Sequence, residues 1–273
     1  MRERLKQLTA VTTLLLVAGV SLVACSGKDG SADGEGTSAG SDLSQTNFFD
    51  KVLQAQAKAG SSHMAMNMEV SGQTIKADGD IEVGKTAADT AMAMTMETGQ
   101  SGMGALEMRL VDEIFYLNFG PMTSNKFARI DLTDENNPIG KQFGDLLGNV
   151  DPAQQLRKFE GAVTSFEQKG KTIELDGVQA QPYVIVVDPS KIESAKQAGG
   201  SLPKTLEYTM YVGPDNLPRR IVSDLPTVAG SEKGTSTIDF SKWGEDVSIA
   251  KPNASEITEK DFFSQLGSPT PEA

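Results

Sequence analysis

The sequence of 273 residues contains one cysteine, one histidine and one tryptophan. The single cysteine, Cys25, has no partner for a disulfide within the chain. The single histidine, His63, excludes most catalytic triads and most histidine-based metal sites. Basic residues are also few: the chain has 25 Lys and Arg but 37 Asp and Glu, which gives a formal net charge of −12. Because such a surface repels phosphates and no Lys/Arg cluster offsets it, we expect no nucleic-acid binding.

The acidic side chains show no spacing typical of a metal or catalytic site. Asp78 with Asp80, and Asp134 with Glu135, fall at predicted turns, where we expect solvated charges. We also expect His63, at the start of a predicted strand, to be an exposed turn residue. The sequence therefore predicts a protein that is not an enzyme and has no cofactor and no metal site.

The N-terminus carries the long apolar run of the chain. Basic residues precede the stretch LTAVTTLLLVAGVSLVA, which ends at Cys25. This run is short for a membrane span and is typical of a secretory signal. The last four residues, LVAC, resemble the lipobox of bacterial lipoproteins, in which the cysteine thiol receives diacylglycerol and the chain is cut before it. The alternatives are a secreted protein with a spare thiol and a cytosolic protein with a buried cysteine.

The lipobox interpretation predicts where the protein is found. Residues 1–24 are then a signal peptide, and acyl chains of the palmitate type on Cys25 hold the protein on the extracytoplasmic face of the cell membrane. Two such chains anchor a protein stably, at roughly 0.8 kcal/mol per buried methylene. Residues 25–42 form a tether rich in Gly, Ser and Asp. We expect a single domain over 43–260 and a tail over 261–273.

The periodicity of residues 43–260 predicts an α+β domain. Phe48, Phe49 and Val52 recur at helical spacing before Gly60, and from residue 61 to 132 the period becomes two, which indicates five or six antiparallel strands. A helical segment with Phe143, Leu146 and Leu147 follows. Further strands, a short helix opening at Asp188 and Pro189, and a hairpin turning at Pro214–Asn216 complete the domain.

Several longer stretches resemble a known family. They are LLGNVDPAQQLRKFEGAVTSFEQKGKTIELDGVQAQPYVIVVD, the hairpin YTMYVGPDNLPRRI and the ending IDFSKWGEDVSIAKPNASEI. Together with the first helix and the Met-rich strands they resemble the actinobacterial LppX and LprG lipoproteins, within the LolA-like lipoprotein-carrier folds. The resemblance implies a strongly curved antiparallel sheet, a half-barrel, with helices packed on its concave side around a hydrophobic cavity. It also implies that lipids or acylated glycolipids are held there and moved across the cell envelope.

Methionine occupies alternate positions of two predicted strands, which puts the thioethers on one face of each strand. A third predicted strand has the same alternation, with Leu106, Met108 and Leu110 on one face. Methionine is flexible and polarizable and recurs at adaptable apolar binding surfaces. The alternative is a sheet core packed permanently beneath a helix, and the lipobox and the resemblance favour the binding surface. The candidate cavity residues are Met64, Met66, Met68, Met92, Met94, Met96, Leu106, Met108, Leu110, Phe143, Leu146 and Leu147.

Three functions remain open on these residues. The first is a lipid-binding envelope lipoprotein that carries or transfers lipid or glycolipid, with a possible transporter partner. The second is a sensor or protein-interaction module of the same fold that regulates envelope signalling. The third, a hydrolase dependent on His63, has the least support, since a single histidine excludes most catalytic triads.

Overall fold

The computed structural model of the chain describes residues 43–70, 72–84, 89–99, 104–134, 160–192, 203–225 and 234–258. Cys25, the tether and the tail lie outside these ranges, as do Phe143, Leu146 and Leu147. The predictions for these residues, and the division of the chain at residues 24, 42 and 260, therefore stay predictions.

The helix α1 spans Phe48–Ala59, and its start and end have clear local causes. The side-chain Oδ1 of Asn47 accepts a hydrogen bond from the Ser44 N–H at 2.8 Å and orders the turn before the helix. The helix ends at Gly60, whose φ of 79° is left-handed, and the Gly60 N–H donates to the carbonyl of Gln56. Phe48, Phe49 and Val52 are its buried residues, as their spacing predicts.

Twelve strands form the rest of the described domain. They are β1 (Ser61–Val70), β2 (Gln73–Glu82), β3 (Ala91–Glu97), β4 (Leu106–Val111), β5 (Ile114–Asn118), β6 (Ala128–Asp131), β7 (Val163–Gln168), β8 (Ile173–Leu175), β9 (Val178–Val187), β10 (Leu206–Val212), β11 (Pro218–Leu225) and β12 (Gly234–Ser241). Short 3-10 helices lie at Gly120–Thr123, Pro189–Lys191 and Ala254–Glu256.

The strands form one antiparallel sheet with two open edges. Its order is β6-β5-β4-β3-β2-β1-β12-β11-β10-β9-β7, and β8 pairs with β9. The first six strands follow one another in sequence and form the predicted meander. The strand β12 joins that meander to the second half by pairing with β1, where Met66 lies opposite Ile238. A sheet of this width twists and curls, and here it is curved and unclosed.

The antiparallel, curved architecture predicted from the sequence is confirmed, and so are α1, the meander and the strands after residue 162. The hairpin between β10 and β11 turns at Gly213–Leu217, where Asn216 has a positive φ of 62°. The predicted cap at Asp188 is also present, because its carboxylate accepts a hydrogen bond from the Ser190 N–H at 3.0 Å. The concave packing of helices around an enclosed cavity stays a prediction.

The chain after β12 returns along the first half of the sheet. The Gly244 N–H donates to the Ser61 carbonyl at 3.0 Å, and Arg109 donates to the carbonyl of Ala250 at 3.2 Å. At the far edge, Phe127 forms an isolated parallel bridge with Ile257. This segment therefore ties the centre of the sheet to its edge strand, β6. None of the helices described here is both long and apolar enough to cross a bilayer.

Candidate ligand-binding face

One face of the sheet is apolar along a row that crosses eight strands. Residues that pair directly on neighbouring strands point to the same side of a sheet, so strand register shows which side chains share a face. From β9 to β4 the row consists of Tyr183, Met210, Ile221, Ile238, Met66, Ala77, Met96 and Leu106. We call the side of the sheet that carries this row the apolar face, and the other side the polar face.

All the methionine and leucine candidates within the described ranges lie on the apolar face. Those on β1 are Met64, Met66 and Met68, those on β3 are Met92, Met94 and Met96, and those on β4 are Leu106, Met108 and Leu110. They do not lie on three adjacent strands, because β2 separates β1 from β3. The apolar face nevertheless continues across β2, which contributes Ile75, Ala77, Gly79 and Ile81.

Burial divides these candidates into two groups. Met64 and Met66 are 7% exposed and Met68 is 0% exposed, so the methionines of β1 belong to a packed core. The methionines of β3 pack against that core but are only partly buried, and so are Leu106 and Met108 on β4. The partly buried group has apolar surface left to cover, which makes β3 and β4 the better candidates for contact with a ligand.

Two small residues of β2 allow the methionines on either side to approach each other. Gly79 lies between Met64 and Met94, and Ala77 lies between Met66 and Met96. A Cβ at Gly79 would lie 2.8 Å from Cγ of Met94 and would also collide with the carbonyl oxygen of Ala93. The side chain of Met94 therefore occupies space that a side chain at position 79 would fill, and it packs against the core cluster that contains the methionines of β1.

The helix α1 covers the other end of the apolar face. The ring of Phe48 lies 5.1 Å from that of Tyr183 on β9 and 5.0 Å from that of Phe166 on β7. These residues and Val52 form a second core cluster with Ile185. The contact with Phe166 is edge-to-face and the contact with Tyr183 is tilted, and aromatic pairs of this kind add about 0.5–1.5 kcal/mol per pair beyond area burial. The helix thus packs on the same side of the sheet as the methionines, but over β7 and β9.

A depression of about 210 Å³ lies along β2, β3 and β4. Its lining residues are Asp78, Gly79, Ala93, Met94, Thr95, Glu107, Met108 and Arg109. Five of these belong to the polar face, since Asp78, Thr95 and Glu107 pair in register, as do Ala93 and Arg109. Two carboxylates and a guanidinium in so small a space do not suit an acyl chain. This depression is therefore not the hydrophobic cavity expected from the sequence.

The prediction for His63 and its neighbouring carboxylates is wrong. His63 lies within β1 with its side chain 23% exposed, and its Nδ1 is 2.8 Å from Asp80 and its Nε2 3.2 Å from Asp78. Both carboxylates lie on β2, which resembles a turn in the sequence because it is polar and contains Gly79. Within the described ranges no group of three His, Cys, Asp or Glu residues is placed to hold a metal ion.

Comparison with known proteins supports the fold. No protein-family model matches the chain, and no curated protein sequence does either. The crystal structure of the lipoprotein LppX from Mycobacterium tuberculosis matches 77% of this chain and 100% of its own, with 16% identity and a TM-score of 0.52. The chain has the LppX fold. LprF from Mycobacterium bovis matches 76% of this chain and 96% of its own, with 17% identity and a TM-score of 0.47.

The LppX fold confirms the resemblance predicted from the sequence as a likeness of architecture. The structure of this chain also shows apolar-face residues that the sequence analysis missed. Ile221, Ile238 and Phe240 are 5–8% exposed and pack against the methionines of β1. The alternation in RRIVSDL and STIDFS was a usable signal for the apolar side of β11 and β12. That β12 would pair with β1, across about 170 residues of chain, had no local signal.

Proposed function

We propose that the protein is a cell-envelope lipoprotein that binds lipids or acylated glycolipids on the apolar face of its sheet. The observation that carries this proposal is the unbroken apolar row from Tyr183 on β9 to Leu106 on β4. With neighbouring strands about 4.8 Å apart, eight strands span roughly 34 Å. Most of this row is already buried within the protein, whereas the side chains of β3 and β4 are only partly buried, and an acyl chain would cover the apolar surface that they leave.

The energetics suit an acyl ligand. A sixteen-carbon chain gains on the order of 12 kcal/mol when fully buried, at about 0.8 kcal/mol per methylene. Immobilising the chain and closing the protein around it cost several kcal/mol of this gain. Tight binding would therefore need little recognition of the polar group, and methionine side chains would adapt to chains of different shape.

Anchoring and transfer belong to the same proposal. Acylation of Cys25 would hold the domain at the membrane, with Phe143, Leu146 and Leu147 as further parts of the cover over the apolar face. A carrier would load lipid at one membrane and release it at another site in the envelope. The fold match to a lipoprotein and the lipobox at residues 22–25 support this part of the proposal.

The test uses residues 25–273 with Cys25→Ser, produced without the signal peptide. Every described helix and strand lies within this range, so the shortened chain keeps them all. We expect mass spectrometry of an organic extract of the purified protein to find bound lipid, and we expect the emptied protein to take up a fluorescent C16 acyl probe. An extract without lipid, together with no uptake of the probe, would refute the proposal.

Two neighbouring residues provide a matched pair of variants. Met94 lies on the apolar face and Thr95 on the polar face of the same strand. Met94→Gln places an amide against the acyl chain, which costs about 1–3 kcal/mol, so we expect the probe to bind at least about fivefold more weakly. Thr95→Gln should leave binding unchanged. A protein partner whose capture is unaffected by Met94→Gln would instead favour the sensor or interaction module.

A further inference from the structure

The apolar face is less covered toward one end of β4 and β5. Along β4, Leu110 is 6% exposed, whereas Met108 and Leu106 are only partly buried. Strand pairing puts the end of β5, and Phe119 after it, beside Leu106. Phe119 is also partly buried and packs against the core cluster that contains Leu110. The burial of apolar side chains therefore decreases along β4 toward the connection between β5 and β6.

That connection carries an exposed apolar side chain. We call residues 119–126 the Met122 loop. Of the large apolar side chains in the described part of the chain, Met122 alone is exposed, with 53% of its surface accessible. Pro121 is exposed beside it, as are Gly104 and Ala105 just before β4. The two connections touch, since a Cβ at Gly104 would lie 3.7 Å from Cδ of Pro121. This end of the sheet therefore presents an apolar tip to the surroundings.

Buried side chains hold the Met122 loop in one conformation. Oδ1 of Asn118 accepts a hydrogen bond from Oγ1 of Thr123 at 3.1 Å, and both residues are buried. Ser124 and Asn125 have positive φ angles of 57° and 56°. Two consecutive residues other than glycine adopt this region only where the surrounding structure fixes them. The loop thus presents Met122 from an ordered backbone, so contact with a partner requires little further ordering.

The charge at this end of the sheet differs from that of the whole chain. The net charge of the chain is −12, yet residues 98–106 and 114–130 contain no Asp or Glu. Lys126 is exposed at the end of the Met122 loop, whereas Arg129 is paired with Asp131 at 3.0 Å. An anionic surface repels most of so acidic a protein, but it attracts a loop that contains a lysine and no carboxylate.

We propose that the Met122 loop docks on the surface of an anionic phospholipid bilayer, with Met122 in the interface and Lys126 beside the lipid phosphates. Apolar side chains enter the headgroup region, while a neighbouring lysine keeps its ammonium group at the level of the phosphates. Docking would bring the less covered end of the apolar face, at Leu106 and Phe119, to the membrane. The proposal rests on the proposed lipid-binding function and adds to it the surface through which lipid is exchanged.

One methionine and one lysine give a weak and reversible contact. Burying the exposed half of a methionine side chain corresponds to about a 4- to 15-fold change in partition, and one lysine near an anionic surface to about a fivefold change. A domain anchored through Cys25 needs no stronger contact, because the tether keeps the loop at a high effective concentration near the membrane. A weak contact also lets a carrier leave the surface after it has taken up lipid.

The experiment reads the environment of the loop with a fluorescent label. Cys25→Ser removes the only cysteine of the chain, so Met122→Cys in residues 25–273 takes an environment-sensitive nitrobenzoxadiazole label at a single site. The matched label is carried by Glu113→Cys, at an exposed position between β4 and β5 and so at the other end of these strands. With vesicles of equal parts phosphatidylglycerol and phosphatidylcholine, we expect the label on Met122→Cys to brighten and shift to the blue. The label on Glu113→Cys should not change.

Unlabelled variants test the two side chains separately. In vesicle flotation, Met122→Ser should weaken partition by about 4- to 15-fold and Lys126→Ser by about fivefold. Lys58→Ser is the matched control, because it removes the same charge from an exposed position on α1 and should leave partition unchanged. Met122→Ser should also slow transfer of a fluorescent C16 acyl probe from vesicles without altering the affinity for that probe in solution. Thermal unfolding shows whether each variant is folded.

The outcomes separate this proposal from the function beneath it. Labels that are silent at both positions, or that respond equally, would overturn docking through the Met122 loop, as would equal losses in Lys126→Ser and Lys58→Ser. Binding of the C16 probe from solution would then show that the proposed function stands without it. If the label on Met122→Cys responds but the probe never binds, the proposed function fails and the loop has no part in lipid exchange. A response confined to position 122, with losses in Met122→Ser and Lys126→Ser alone, would establish the proposal.

Discussion

Replacing Gly79 by alanine tests the close packing of the methionines directly. Gly79 lies in the middle of β2, with Met64 on one side and Met94 on the other. The new methyl group would approach Cγ of Met94 to 2.8 Å, its Cα to 2.7 Å, and the carbonyl oxygen of Ala93 more closely still. A flexible thioether can rotate away, but the backbone of β3 cannot, so the pairing of β2 with β3 must shift.

The size of the effect follows from two opposing contributions. Inserting a methyl group into a packed site costs about 1–3 kcal/mol, and the backbone contacts place Gly79→Ala near the upper end of that range. Alanine in a strand stabilises the fold by roughly 0.5–1 kcal/mol relative to glycine, because alanine has less backbone freedom in the unfolded chain and so loses less on folding. We therefore expect a net loss of about 2 kcal/mol in the free energy of unfolding. With a urea slope of about 2 kcal/mol per molar, the midpoint should fall by about 1 M.

Gly161→Ala is the control for the glycine substitution itself. A Cβ at Gly161 would meet nothing within 4 Å, and the residue is exposed and helical. This variant should be as stable as the parent or more stable by about 0.4–1 kcal/mol. A urea midpoint for Gly79→Ala equal to that of the parent protein would contradict the packing described for β2 and β3.

Two further substitutions test the aromatic cluster and the buried phenol. Phe48 is 0% exposed, so Phe48→Ala should lower the free energy of unfolding by about 3–5 kcal/mol in urea titration, whereas the exposed Gln54→Ala should change it by less than about 0.5 kcal/mol. Equal effects would show that α1 is not held by Phe48. Burial raises the pKa of Tyr208 above the ordinary 10.0, so the phenol keeps its proton longer in the folded state than in the unfolded state. The resulting stability is complete below pH 10 and is lost as the pH rises through the folded pKa, by up to about 1.4 kcal/mol per pH unit. Urea titrations above pH 10 should therefore show a shallower loss for Tyr208→Phe than for the parent, and parallel losses would contradict the raised pKa.

Local patterns were sufficient to predict most of the elements. The helical spacing of Phe48, Phe49 and Val52 predicts both the position of α1 and its buried face. The alternation of β1 correctly predicts which side chains are buried, with Met68 inside and Glu69 outside. These predictions succeed because side-chain direction repeats every 3.6 residues in a helix and every two in a strand, whatever the element packs against.

Predictions that depended on strand neighbours were less complete. The methionines of β1 and β3 lie on one face, but the sequence did not show that β2 would separate them or that Gly79 would let them meet. The error at His63 has the same origin. Its contacts with Asp78 and Asp80 exist only because β2 folds back along β1, which turns residues resembling a polar turn into a strand beside the histidine.

The sequence by itself determined the alternation within each strand and the LVAC motif at residues 22–25, because both depend on residues close together in the chain, and it determined the net charge of −12, which depends only on composition. Only the tertiary structure decided that β12 pairs with β1, which joins two apolar half-sheets into one face. Register between distant strands follows from how the whole set of side chains buries its apolar surface, and no short stretch contains that information.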